Sequence, residues 1–174
     1  MRTRLVLMVF VLGMVAVGAA VAGVNRNWST HTNGSMEVPA RDTLGQGQAI
    51  FHLSKDGTQL DYKLIASNIE NVVQAHIHAG LPGVIGPIVV WLYPSTSPPA
   101  APSGAGRTDG VLVEGTIDAG DIATSAPPGY DYDALLFDLD HDRAYVNVHT
   151  NDGIAPTNTG PGDFPGGEIR GDVK

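Results

Sequence analysis

The feature that most constrains this chain is a two-residue alternation repeated on either side of a single turn signal. Ala49, Phe51 and Leu53 alternate with Gln48, Ile50 and His52, Asp56-Gly57 marks a tight turn, and Leu60, Tyr62 and Leu64 then alternate with Asp61 and Lys63. Side chains two apart share one face of a strand, so the pattern predicts two antiparallel strands with one face buried. Helices are disfavoured elsewhere, because the chain carries 22 Gly and 12 Pro, which weaken helix interiors and serve turns and strand ends. Further strands are expected at Val72–His78, Pro87–Leu92, Val111–Ile117, Ala144–Thr150 and Gly167–Val173, with one short helix at Asp133–Asp140. Two long loops, Pro94–Gly110 and Asn151–Gly166, separate them. The fold class is all-β: an antiparallel Greek-key β-sandwich or barrel of about seven to eight strands with long loops.

The N-terminus sets the compartment. Arg2 and Arg4 precede the uncharged apolar run Leu5–Val21, and Ala20 and Ala22 bracket Val21 as a small-residue cleavage site, so residues 1–22 read as a signal peptide. An uncleaved anchor is the alternative, since a span needs roughly 20 apolar residues. The remainder is expected to be secreted, periplasmic or at the cell surface, touching membrane only through an uncleaved segment. Residues 23–34 read as an N-terminal arm and 35–174 as the domain. Asn25–Thr43, with Trp28 and the turn pair Asn33-Gly34, is polar and aperiodic, the pattern of an arm or a first edge strand. A net charge of -8 repels a phosphate backbone, so no nucleic-acid partner is expected. The absence of cysteine excludes disulfides, thiolate metal sites and cysteine nucleophiles. No P-loop, dinucleotide fingerprint or GxSxG elbow is found.

Strand parity isolates the candidate chemistry. In Val73–His78 the apolar set is Val73, Ala75 and Ile77, which leaves Gln74, His76 and His78 on the opposite face. In Tyr145–His149 the apolar Val146 and Val148 face inward and Tyr145, Asn147 and His149 outward. On the last strand Ile169 faces inward, with Glu168 and Arg170 outward. If these strands are neighbours, the outer, wet face of one sheet gathers His76, His78, His149 and Glu168 as metal ligands, with Asn147 and Arg170 behind them. Neutral imidazoles with a carboxylate and no sulfur suit copper or zinc. The plainer alternative is that His76 and His78 bond carbonyls of the Gly80–Gly86 turn while His149 bonds the loop that follows it. His31, His52 and His141 read as solvated or packed. Asp131, Asp133, Asp138, Asp140 and Asp142 read as a solvated acidic turn, since they lack calcium-loop spacing.

An ordered set of motifs carries a family resemblance. Val38-Pro39, Gly47-Gln48-Ala49, Ala75-His76-Ile77-His78-Ala79-Gly80 with Gly83 and Gly86–Val90, Ala144–Thr150, and Pro165-Gly166-Gly167-Glu168-Ile169-Arg170-Gly171 together resemble the CHRD domain, over roughly Ser35 to Lys174. The resemblance implies an extracellular β-sandwich acting as a binding or structural module, whose partner is an extracellular protein or surface component. At the level of fold the HxH pair also resembles copper,zinc superoxide dismutase, which implies an alternative metalloenzyme with Arg170 as anion guide. The chain lacks that enzyme's zinc loop and cysteines. A third reading is a self-assembling cell-surface protein, a homo-oligomer whose arm adds to a neighbour's sheet edge.

Overall fold

A computed structural model describes residues 26–94 and 106–174. The expected signal peptide and residues 95–105 of the first long loop lie outside the described residues. The elements are β1 (Asn27–Asn33), β2 (Gln46–Leu53), β3 (Leu60–Glu70), β4 (Val72–Ala79), β5 (Ile88–Tyr93), β6 (Arg107–Ile117), a helix α1 (Tyr132–Asp140), β7 (Ala144–Thr150) and β8 (Ile169–Asp172). The eight strands form one sheet in the order β5-β4-β7-β8-β1-β2-β3-β6. All pairs are antiparallel, and the end strands β5 and β6 return into contact, so the sheet is a nearly closed barrel. This is the all-β class expected. No helix among the described residues is long and apolar enough to cross a membrane.

The β2–β3 hairpin forms as its alternation dictates. Ala49, Phe51 and Leu53 pack inward beside Leu60, Tyr62, Leu64 and Ala66, in the register that sets Leu53 against Leu60. Each large apolar side chain withdrawn from water contributes about 1.5–3 kcal/mol. At Asn68 the backbone turns to φ 52° and the pairing with β6 shifts between Ala66 and Ile69. That bulge lets Ile69, an odd number of residues beyond Ala66, also face the core. The inner face of β4, β7 and β8 adds Ala75, Ile77, Val146, Val148 and Ile169 to the same cluster. The helix is capped by Asp131, whose side chain accepts from the Ala134 N–H at 2.9 Å, and it packs Tyr132, Leu135 and Leu139 on the core.

Three expectations change. Residues 27–33 are neither an arm nor an edge strand: β1 lies inside the sheet, pairing with β2 along its length and with β8 at Asn33–Arg170. Its inward positions are Trp28, Thr30 and Thr32, and the two buried threonines hide the alternation from any count of apolar residues. Paired on both sides, this segment offers no free edge to a neighbouring molecule. Second, β6 begins at Arg107, so the end of the predicted Pro94–Gly110 loop is strand. Third, β8 begins at Ile169 because Gly167 adopts φ +119°, which breaks the extended backbone before Glu168.

Candidate metal centre

The β4–β7 register sets Gln74 opposite His149, His76 opposite Asn147 and His78 opposite Tyr145, and β8 sets Arg170 opposite Asn147. Ala75 and Ile77 pair with Val148 and Val146 on the other side. The polar residues therefore share one face, as parity predicts. That face is not wet. His76 is fully buried, His78, Asn147 and His149 are each less than one-tenth exposed, and Arg170 is 1% exposed. Three segments cover it: the Gly80–Gly86 loop, the loop from Asn151 to Glu168, and residues 34–45. The first lies flat on the sheet because Gly86 has no side chain; a Cβ there would sit 1.7 Å from the Ala79 carbonyl oxygen.

Under this cover the three rings converge. The centroid of His76 lies 4.8 Å from that of His149 and 5.5 Å from that of His78, and each ring offers a nitrogen within 4.8 Å of the others. The His78 Nδ1–H donates to the Gly86 carbonyl at 2.8 Å and the His149 Nδ1–H to the Pro165 carbonyl at 2.8 Å. A neutral imidazole has one N–H, so each tether leaves Nε2 as a lone pair. The loop-carbonyl bonds and the converging nitrogens, posed as alternatives from the sequence, thus hold together for these two rings. His78 Nε2 and both nitrogens of His76 make no hydrogen bond of good geometry, and Asn147 is the one polar side chain that acts on both rings as a hydrogen-bonding group. A buried polar atom without a partner costs about 1–3 kcal/mol, so three of them in one pocket mark it as the candidate site. Metal-binding histidines characteristically donate their second N–H to a carbonyl, which fixes the ring and the lone pair.

Electrostatics keeps the rings neutral. Burial is the main cause lowering all three pKa values. That of His76 falls to about 2, with His149 and His78 adding repulsion. That of His149 falls to about 4, against the opposing pull of the Pro165 carbonyl, and that of His78 falls against the Gly86 carbonyl and Asn147. Neutral rings are the form that binds a metal. A tetrahedral zinc with Zn–N of about 2.0–2.1 Å holds its nitrogens roughly 3.3 Å apart, somewhat closer than the 4.8 Å that bounds the three ligand atoms here. The donor set fits zinc or copper.

Around the triad, Tyr145 stacks on His78 with centroids 4.6 Å apart, and the Arg170 guanidinium lies 3.4 Å from the Tyr145 ring centroid. Arg170 also donates to the carbonyls of Val84 at 3.0 Å and Leu81 at 3.3 Å and pairs with Asp172 at 3.1 Å. It straps the Gly80–Gly86 loop to the sheet. Sealed in this way it is no anion guide, which corrects the role assigned to it in the dismutase-like reading. Asn147 sits at the centre, its Oδ1 3.1 Å from His149 Nε2. Trp91 stands edge-on to His76 at 4.2 Å.

Glu168 is placed elsewhere. Its carboxylate accepts from Thr43 Oγ1 and Thr150 Oγ1, each at 2.6 Å, and from the Gly162 N–H at 2.8 Å. It lies outside the group of converging ligand atoms. The parity argument failed for Glu168 because the strand begins one residue later; the residue braces the covering loops instead. His52 bonds Asn27 and His141 bonds the Phe137 carbonyl, while Asp138 and Asp140 bond Tyr130 and Trp28, all outside the triad.

Sequence reasoning missed Glu37 and Trp91. Trp91 was open to parity, since it pairs with His76 across β4 and β5. Glu37 was not: it stands in an aperiodic segment, and its one signal is its place before Val38-Pro39 in the motif set. It is 8% exposed. Burial raises its pKa, opposed by a hydrogen bond from the Val38 N–H, the charges of Arg170 and Arg41, and Asn147.

Compared with known proteins, the sequence matches the CHRD domain over residues 28–173. No curated protein matches it, and no solved structure does.

Proposed function

The chain belongs to the CHRD domain family, and we propose that it is an exported binding or structural module built around a zinc or copper site formed by His76, His78 and His149. The observation that carries this reading is the pair of Nδ1–H tethers, which leave two Nε2 lone pairs beside a third buried imidazole, with ligand atoms of all three within 4.8 Å of one another. A bound ion would join β4 to β7 and, through the ring tethers, fix the two covering loops. Zinc would supply a cross-link, and copper would add a redox couple. The sealed Arg170 removes the feature that favoured dismutation. Export is supported by Arg2, Arg4 and the apolar run Leu5–Val21, and mass measurement of the exported chain tests cleavage after Ala22. The partner proposed is an extracellular protein or surface component; Leu81, Val84 and Ile85 are exposed apolar residues on the strapped loop.

The decisive experiment is titration with Cu²⁺ and Zn²⁺. Trp91 lies against His76, so copper is expected to quench its emission at one equivalent, and zinc is expected to raise thermal stability by about 2.7 kcal/mol at a free concentration 100 times Kd. Single His76→Ala, His78→Ala and His149→Ala variants are expected to lose at least 100-fold in affinity. Unchanged affinity in all three overturns the proposal.

A further inference from the structure

The contact between His149 and Asn147 has an unusual property. His149 Nδ1 lies 2.8 Å from the Pro165 carbonyl oxygen and its Nε2 lies 3.1 Å from Asn147 Oδ1. A neutral imidazole can donate to only one of these oxygens. The backbone carbonyl has the shorter contact, which leaves the Nε2 lone pair facing the amide oxygen. Turning the carboxamide over would relieve this, but Glu37 opposes the turn. The Glu37 carboxylate interacts with the Asn147 side chain, and both crowd the space above Gly167, where an added Cβ would lie 2.4 Å from Glu37 Oε1 and 3.0 Å from Asn147 Nδ2. A carboxylate attracts the amide N–H groups and repels the amide oxygen. Nδ2 therefore faces Glu37 and Oδ1 faces the rings.

Glu37 is itself unfinished. It is more than nine-tenths buried and its Oε1 has no hydrogen-bond partner. Among the described residues no cation forms a contact ion pair with it. Arg41 is spent on the Gly167 carbonyl and the Phe164 ring, and Arg170 on Leu81, Val84 and Asp172. A divalent ion among three neutral imidazoles would bring two positive charges into the same dry pocket, and a buried charge is costly without an opposite charge nearby.

Resting on the metal reading above, we propose that Asn147 Oδ1 is the fourth ligand of the site, and that Glu37 is the positioning residue and counter-charge behind it. Two lone pairs facing each other at 3.1 Å become favourable when a cation lies between them. The set His76, His78, His149 and Asn147 is then a closed N3O shell with no open position. Such a shell holds its ion without an exchangeable site for substrate, which makes the centre structural. The carbonyl-tethered rings and the carboxylate-backed amide follow the same rule, that outer partners orient the ligands and tune their affinity.

The test compares the wild-type chain with Glu37→Gln, Asn147→Leu and the double variant Glu37→Gln/Asn147→Asp, each titrated with Zn²⁺ against a chromophoric chelator and with Co²⁺ by its visible spectrum. Zinc affinity is expected to fall about 10- to 100-fold in Glu37→Gln, the usual range for losing an outer partner, and at least as far in Asn147→Leu, which removes the ligand oxygen itself. The double variant moves the negative charge onto the ligand oxygen and is expected to recover affinity to within a few-fold of wild type or better. The intense visible bands of four-coordinate Co²⁺ are expected in the wild type and the double variant and to weaken in Asn147→Leu. Apo melting curves identify any variant that has failed to fold, and the double variant then carries the comparison. If the wild type binds and Asn147→Leu retains both its affinity and its cobalt spectrum, Asn147 is no ligand. Equal affinity in Glu37→Gln removes the counter-charge role. If the wild type binds no metal, the triad reading itself falls.

Discussion

The two faces of β4, β7 and β8 are equally buried and physically opposite. Ala75, Ile77, Val146, Val148 and Ile169 bury one face against the barrel interior. His76, His78, Asn147, His149 and Arg170 bury the other beneath loops. The first is dry because apolar surface leaves water favourably. The second is dry although its nitrogens and carboxylate oxygen resist burial, and several of those atoms have no partner. The barrel interior explains the fold. The loop-covered face is expected to lower the stability of the metal-free chain, by about 1–3 kcal/mol for each buried polar atom left unpaired.

Acid should expose this difference most strongly. Each triad histidine has a native pKa below that of the unfolded chain. Below about 6.5, the ordinary value for histidine, the unfolded state takes up protons that the native state refuses, so stability falls as pH falls. Each histidine that stays neutral in the native state contributes about 1.4 kcal/mol of loss per pH unit. For His149 the loss runs from about 6.5 down to about 4, and for His76 on to about 2. Urea unfolding of the metal-free chain is expected to show a loss of several kcal/mol between pH 6.5 and 4, with the midpoint moving to lower urea. A flat profile over that range would mean that the rings are hydrated or already charged.

Adjacent residues on β4 give a sharper contrast. Ile77→Ala leaves a cavity in the barrel interior and is expected to cost about 2–5 kcal/mol with zinc affinity unchanged. His76→Phe replaces a partnerless ring with an apolar one of similar shape. It is expected to stabilise the metal-free chain by about 1 kcal/mol at neutral pH, to remove its share of the acid sensitivity, and to abolish metal binding. Opposite signs of stability change at positions 76 and 77 would show that the two faces obey different physics. A loss of similar size at both would show that His76 is ordinary core.

What could be read in the sequence divides along the same line. Strands whose inward positions are apolar announce themselves: Phe51, Leu64, Ile77 and Val146 are each fixed by a period of two. The same period put His76, His78 and His149 on one face, because parity follows from backbone geometry alone. Whether that face met water could not be read, since it depends on loops with no period. Nothing local says that the Gly80–Gly86 loop folds flat on Tyr145 and Arg170, or that residues 34–45 bring Glu37 to Asn147. β1 was read only as an arm or an edge strand because Thr30 and Thr32 are polar at inward positions, and Glu168 was misplaced because parity was extended past Gly167, where the backbone leaves the strand.

The smallest expected effect comes from a third surface, the open outer side of β3 and β6. Lys63 and Glu114 pair there at 2.9 Å with side chains 45% and 62% exposed. They are directly opposite across the two strands and point away from the core, as His76 and Asn147 do on their own strands. Among the described residues no loop covers them. Water screens the pair and solvates each charge alone, so Lys63→Ala is expected to change stability by no more than about 0.5 kcal/mol, and to leave metal affinity and the acid profile untouched. Unfolding curves of this variant beside His76→Phe would isolate the variable that matters. Both positions carry a polar side chain on the outside of the same sheet, and the energetic weight of the histidine comes from the chain segments folded over it.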